Sequence, residues 1–218
     1  LYLDRTNLLW AGHQYNGLLK FNPGRSNFTS YKNLISKTFT NLDINPIFKD
    51  DIDNIWIGAY NGGIYKIDEI KSRVRKFDAG FTKNLIVSFE EISSNIFWIG
   101  LQEGVFEFNG QTGKYTDPFP DSEVKQILMT GNVWDILKDG NQIYMATSGG
   151  LFVYDLKAKK LHRFTYQKQF VENVLDFGDI FRSLIRLKNG EILVGNANHG
   201  ISKVIFNVDN GEILLTQV

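Results

Sequence analysis

The chain has 218 residues, 43% apolar and 22% charged, which is ordinary for a folded protein and long enough for one large core or one repeat array. Its 24 basic and 24 acidic residues cancel, so no net field favours nucleic acid or an anionic membrane. There is no cysteine, which excludes disulfides and thiolate chemistry, and no run approaches the roughly 18 apolar residues of a membrane span.

In chain order, Leu1-Tyr2-Leu3-Asp4 already reads as a strand, not as a signal peptide. Leu9-Trp10-Ala11-Gly12 follows, then Asn16-Gly17-Leu18. The clearest copy of this unit is Asn54 to Asp68. Ile55-Trp56-Ile57 is an apolar run, Asn61-Gly62-Gly63 a tight turn, and Ile64-Tyr65-Lys66-Ile67 the returning strand. Phe97-Trp98-Ile99-Gly100 with Glu103-Gly104-Val105 is a third copy. Tyr144-Met145-Ala146 with Gly149-Gly150-Leu151 is a fourth, and Leu193-Val194-Gly195 with His199-Gly200-Ile201 a fifth. The turn glycines Gly17, Gly63, Gly104, Gly150 and Gly200 are separated by 46, 41, 46 and 50 residues. A period in the forties made of short strands predicts an all-β propeller of four-stranded antiparallel blades, one per repeat.

Each repeat divides into strands a to d. Strand a ends at an acidic or polar turn, as in Ile47-Phe48-Lys49-Asp50 and Ile136-Leu137-Lys138-Asp139. Strand b carries Trp10, Trp56, Trp98 or its substitute Tyr144, and strand c follows the turn glycine. Strand c closes at Asn22, Asp68, Asn109 and Asp155, each five residues past its glycine. Six further on, Phe28, Val74, Tyr115 and Leu161 start strand d. In the fifth repeat Gly200 to Asn207 is seven residues, so strand c there is longer by two or bulged. Five blades are expected over 1–33, 45–79, 85–117, 132–166 and 180–218, filling 1–218 as one array.

Strand b is apolar on both sides, which fits blades stacked face to face about an axis. The Trp or Tyr then fills the wedge between blades, a packing role. Gly12, Gly58, Gly100 and Gly195, with Ala146 in the fourth repeat, allow close approach. The basic run Lys71 to Lys76 falls on an outer strand, where cations discourage edge pairing. The chain starts in a strand a and stops in a strand d, with no exchange of strands between the ends. Either the five blades close without such an exchange or they are part of a larger ring, and we expect the second.

The b–c turns and the d–a connections share one end of such blades. The b–c turns read His13-Gln14-Tyr15-Asn16, Tyr60-Asn61, Gln102-Glu103, Thr147-Ser148 and Asn196-Ala197-Asn198-His199. Amides, aromatics and imidazoles suit a sugar-like ligand through hydrogen bonds and stacking. The candidate ligand-binding residues are thus His13, Gln14, Tyr15, Tyr60, Asn61, Gln102, Glu103, Asn196, Asn198 and His199. For any one of them taken singly, plain turn chemistry is the better explanation. The d–a segment Phe170 to Asp179 is apolar enough to cover a blade or dock a partner, and Asp117-Pro118-Phe119-Pro120-Asp121 is a stiff turn.

No Gly-x-Ser-x-Gly, His-Glu-x-x-His or P-loop occurs, so no catalytic residue is expected. His13, His162 and His199 lie in different repeats, with no third ligand placed beside any pair. Asp50-Asp51-Ile52-Asp53 lacks calcium-loop spacing. Neither a metal nor another cofactor is expected.

The repeat Asp50…Asn54-Ile55-Trp56-Ile57-Gly58…Gly62-Gly63-Ile64-Tyr65-Lys66-Ile67-Asp68…Phe77 resembles the two-component regulator propeller repeat. The second repeat matches best, the first and third well, and the fifth keeps mainly its glycines. The resemblance implies the periplasmic sensor region of a hybrid two-component histidine kinase of the Bacteroidetes type. It implies seven-bladed propellers that sense glycan fragments, followed by further domains, a membrane span and kinase modules. Expected partners are therefore an oligosaccharide, the remaining blades and downstream domains, and a second protomer. A carbohydrate-active enzyme such as a lyase, and a protein-interaction platform, are the alternatives on the same scaffold.

Overall fold

The computed structural model describes residues 1–13, 17–22, 25–30, 44–50, 52–59, 63–68, 73–77, 85–119, 131–166 and 180–218. The described residues form strands and turns with no helix.

Among the described residues, twenty strands make five four-stranded antiparallel sheets, each in simple sequential order. Sheet one is β1 (Tyr2–Leu3), β2 (Leu9–His13), β3 (Gly17–Asn22) and β4 (Arg25–Ser30). Sheet two is β5 (Ile44–Lys49), β6 (Ile55–Ala59), β7 (Gly63–Asp68) and β8 (Arg73–Phe77). Sheet three is β9 (Ile86–Ser93), β10 (Ile96–Leu101), β11 (Gly104–Asn109) and β12 (Tyr115–Thr116). Sheet four is β13 (Val133–Asp139), β14 (Gln142–Thr147), β15 (Gly150–Asp155) and β16 (Lys160–Phe164). Sheet five is β17 (Phe181–Arg186), β18 (Ile192–Asn196), β19 (Gly200–Phe206) and β20 (Ile213–Gln217). These are the blades of an all-β propeller fold.

Strand c ends where expected, at Asn22, Asp68, Asn109 and Asp155. The turn glycines are needed for backbone reasons. Gly104 and Gly150 have φ of 102° and 133°, which a side chain would strain. Two details differ from the sequence reading. Strand d starts earlier in sheet one, at Arg25. In sheet five, strand c pairs without interruption from Ser202↔Gln217 to Phe206↔Ile213, so it is extended by one residue and carries no bulge.

The chain divides into two compact units. The first is Leu1–Phe97 with Phe108–Tyr115, and the second Trp98–Glu107 with Thr116–Val218. In the first unit, Trp10 and Leu18 share a buried cluster with Ile55, Ile57, Ala59, Tyr65 and Ile67. On the other side of sheet two, Trp56 packs on Phe97 (4.8 Å between centroids) and Phe108 (5.8 Å) of sheet three, and on Phe77 (5.7 Å) of its own sheet. β6 is therefore buried on both faces, residue after residue. That is why its sequence is continuously apolar where a half-solvated strand would alternate. A Cβ on Gly58 would lie 2.7 Å from Ile86 Cγ2 and 2.8 Å from Pro46 Cγ, so this position does serve close approach.

The indole N–H groups of Trp10 and Trp56 are satisfied by the polar turn that ends strand a. Asp4 Oδ2 accepts from Trp10 Nε1 at 2.9 Å, while Asp4 Oδ1 accepts from Thr6 N, Thr6 Oγ1 and Leu8 N. Asp50 repeats the arrangement with Trp56 Nε1 at 2.8 Å. Lys49 Nζ lies 3.0 Å from Asp53 Oδ1 and 3.9 Å from Asp4 Oδ2, joining the turns of sheets one and two. Burial works to raise the Asp4 carboxyl, but the bonds from Thr6, Trp10 and Leu8 outweigh it and hold the pKa at about 2.

In the second unit, Trp98 packs on Phe119 (5.2 Å) and Tyr154 (5.6 Å), and its indole donates to Glu107 Oε2 at 3.3 Å. Sheets four and five share one core: Tyr144, Ala146, Leu151 and Val153 against Phe181, Ile192, Val194, Val204 and Ile213. Burial, then the nearby Asp139, push the Tyr144 hydroxyl up to about 12. On the outer strand β8, Arg73, Arg75 and Lys76 are exposed, as the solvated-edge reading requires; Lys71 and Ser72 lie outside the described residues.

Candidate functional site

Antiparallel order puts the start of strand a, the b–c turn and the end of strand d at one end of each sheet. In sheet four, Ser148 N donates to Asn132 O at 3.0 Å; in sheet five, Ala197 N donates to Ile180 O at 2.9 Å. The same bond thus ties each b–c turn to the residue just before strand a.

Of the sequence-predicted residues, Gln14, Tyr15, Tyr60 and Asn61 lie outside the described residues, as does the segment Phe170 to Asp179. His13 closes β2. Gln102 and Glu103 are the exposed turn between β10 and β11. The turn after β18 is the best-defined of the set. Asn196 is buried, and its Oδ1 accepts from Asn198 N at 2.9 Å and His199 N at 3.0 Å. This amide oxygen shapes the turn. Asn198 and His199 are left exposed by it. The His199 ring lies 4.0 Å from the Tyr166 ring, which in turn stacks on Phe181 at 6.0 Å and an interplanar angle of 10°. An imidazole and a phenol are thereby presented together on a rigid base. Thr147, by contrast, is buried and spends its hydroxyl on Gly150 O and Gly149 N.

Three side chains that the sequence reading did not single out stand at the same end. Trp134 and Arg182 sit near the starts of β13 and β17. The Arg182 guanidinium carbon lies 3.9 Å from the Trp134 ring centroid, and Trp134 Nε1 donates to Ser148 Oγ at 3.0 Å. Beside them, Asp135 Oδ2 accepts from Leu184 N at 2.7 Å and Oδ1 from Ile136 N at 2.9 Å. Among the described residues, no group of three or more His, Asp or Glu side chains is placed to hold a metal ion.

Burial is the main influence on Asp135. It pushes the carboxyl up to about 6, against the two backbone donors. The folded pKa thus exceeds the ordinary 3.8, so the folded protein takes up this proton first. The contribution to stability is full below about pH 4 and is lost as pH rises through 6. Urea denaturation is expected to show a midpoint gain from pH 7 to pH 5 that Asp135→Asn removes. His162, which burial holds below its usual value, acts in the opposite sense, so the difference between the two proteins is the informative quantity. Equal pH slopes would contradict this assignment.

No protein-family model matches the chain, and no curated protein matches it. Its fold does match solved structures. The extracellular domain of BT4673 from B. thetaiotaomicron, assigned to a one-component system in one structure and to a hybrid two-component system in another, superposes with a TM-score of 0.70 in the first. That match covers 92% of this chain and 26% of the solved one, at 19% identity. The extracellular domain of BT3049 from the same organism, assigned to a hybrid two-component system, gives 0.69 over 98% of this chain and 29% of its own, at 18% identity. The computationally designed protein Ika8 gives 0.62 over 95% of this chain and 57% of its own, at 14% identity. The chain therefore spans between a quarter and a third of the length of the two extracellular domains it matches. Among the described residues, no helix is long and apolar enough to cross a membrane.

Proposed function

We propose that this chain is a non-catalytic part of an extracytoplasmic sensor propeller, in the two-component regulator family that its repeat resembles. The observation that carries this reading is the likeness over almost the whole chain to extracellular domains assigned to two-component systems. In this reading the ligand is a glycan fragment met at the b–c end, with Gln102, Glu103, Asn198 and His199 among the groups available. His199 with Tyr166 supplies the kind of ring surface on which a sugar stacks. The compartment is the periplasm, and the signal passes to a histidine kinase elsewhere in the protein. Blades buried on both faces resist bending, so binding would act by shifting rigid bodies or pairing protomers.

A larger ring is part of the same proposal. Pairing places Leu137 opposite Tyr144 and Ala146 opposite Leu151 in sheet four, and Ile185 opposite Leu193 and Gly195 opposite Ile201 in sheet five. The fifth sheet therefore repeats, one blade on, the face that the fourth buries against it. There Ile185 is 56% exposed and Ile201 55%. A further blade of the same repeat is the occupant that this face fits.

Calorimetry of the intact extracytoplasmic region against a panel of oligosaccharides tests the sensor reading. Saturable binding with the sugar recovered unchanged is the expected result. Cleavage products would overturn it in favour of an enzyme, and binding of a protein but of no sugar would favour an interaction platform.

A further inference from the structure

We propose that Arg182, stacked on Trp134 and backed by Ser148, is a receptor for an anionic group on the ligand, a uronic carboxylate or a sulfate. This rests on the reading that the chain binds a saccharide, and it adds the charge that saccharide should carry.

The innermost strands of sheets four and five each break register once, between Val133 and Asp135 and between Phe181 and Ser183. The residue left over is Trp134 in one and Arg182 in the other. A bulge re-aims its extra side chain out of the ladder. The two positions are equivalent, because the turn-to-strand bonds of Ser148 and Ala197 fall two residues before each. Two successive blades thus turn out a large side chain at the same level, and the two meet.

Their chemistry is unspent. Arg163 and Arg186 are engaged, by Gly149 O and Asp139 Oδ1 respectively. Arg182 is exposed, and among the described residues its guanidinium meets the indole face and no acceptor. The carboxylate next to Trp134 in sequence, Asp135, has each oxygen on a backbone N–H. Contact with the indole face restrains the guanidinium fork, and its N–H groups meet no acceptor among the described residues. That fork matches a carboxylate or sulfate with two parallel bonds, and little rotamer freedom remains to be lost on binding. The half-buried indole, held by Ser148, offers apolar edge to the ring that carries the anion.

Trp134 also reports on the site. Of the four tryptophans, Trp10 and Trp56 are fully buried and Trp98 is 3% exposed, so Trp134 is the one open to a ligand. The probes are a galacturonic acid trimer, a sulfated galactose trimer and the neutral galactose trimer, titrated into the 218-residue chain by tryptophan emission. At least one acidic probe should bind with a change in emission, the neutral one at least about tenfold more weakly, and Arg182→Gln should weaken the acidic probe by about tenfold or more. Which acidic probe binds distinguishes carboxylate from sulfate. The urea midpoint of Arg182→Gln controls for folding, and Arg182→Lys, which keeps charge but not the fork, should fall between. Equal affinity for neutral and acidic probes, unchanged by Arg182→Gln, would overturn the anion site and leave saccharide binding intact. Silence with all three probes would also overturn it, while the calorimetric panel would still judge the sensor reading separately.

Discussion

Asp50→Ala is expected to lower the unfolding free energy by about 3 kcal/mol, read as a shifted urea midpoint with an unchanged slope. Asp50 is buried, and its carboxylate accepts from Ile52 N at 3.1 Å, Asn54 N at 2.7 Å, Asn54 Nδ2 at 2.7 Å and Trp56 Nε1 at 2.8 Å. Removing it leaves three turn donors and one core indole without a partner. The turn donors can reach water. The indole cannot, because Trp56 is fully enclosed by the rings around it. That enclosed donor makes the loss larger than that of an ordinary surface cap, which is about 1 kcal/mol.

A double-mutant cycle separates the indole from the turn. Trp56→Phe removes the donor and keeps most of the packing. If the Asp50–Trp56 bond matters as described, Asp50→Ala should cost less in the Trp56→Phe background, with a coupling of about 1 kcal/mol or more. Strict additivity would show that Asp50 serves only its turn.

The repeat was legible because backbone geometry demands particular residues. A positive φ at the start of strand c selects glycine, so Gly63, Gly104, Gly150 and Gly200 mark the period even where Trp98 gives way to Tyr144 and Leu193. Burial on both faces explains the unbroken apolar run of β6. The spacing of six between Asp4 and Trp10, and between Asp50 and Trp56, was also on view. Its meaning was not, because Ile92 holds that place before Trp98, and Glu107 on the adjacent strand takes the indole instead. Divergence of this sort fits the absence of a matching family model beside a clear match in fold.

The candidate site was read less well. A b–c turn looks alike whether it binds or merely turns, and Asn196 proves to shape its own loop while Asn198 and His199 are presented. Bulges leave no mark in sequence when the extra residue is an ordinary strand former. The one available hint was that Trp134 stands on strand a, outside the b-strand position shared by Trp10, Trp56 and Trp98.

The second large effect concerns Ile201, on the face of sheet five that resembles a buried one. In the 218-residue chain Ile201→Glu should cost under about 1 kcal/mol, since the side chain already meets water. If the chain belongs to the larger ring proposed above, a further blade covers this side chain there, and the same change buries an unpaired carboxylate and should cost about 3 kcal/mol or more. Leu193→Glu, at the place that Tyr144 holds one blade earlier, should behave alike.

If repeated sheets hide both faces against neighbours of the same design, the most direct test is the urea midpoint of Ile201→Glu with and without the proposed further blade. A small shift in the 218-residue chain, with a shift several times larger once the proposed further blade is present, is the predicted result. The same small shift in both would contradict it, because the fifth sheet would then be an outer wall and not an inner blade.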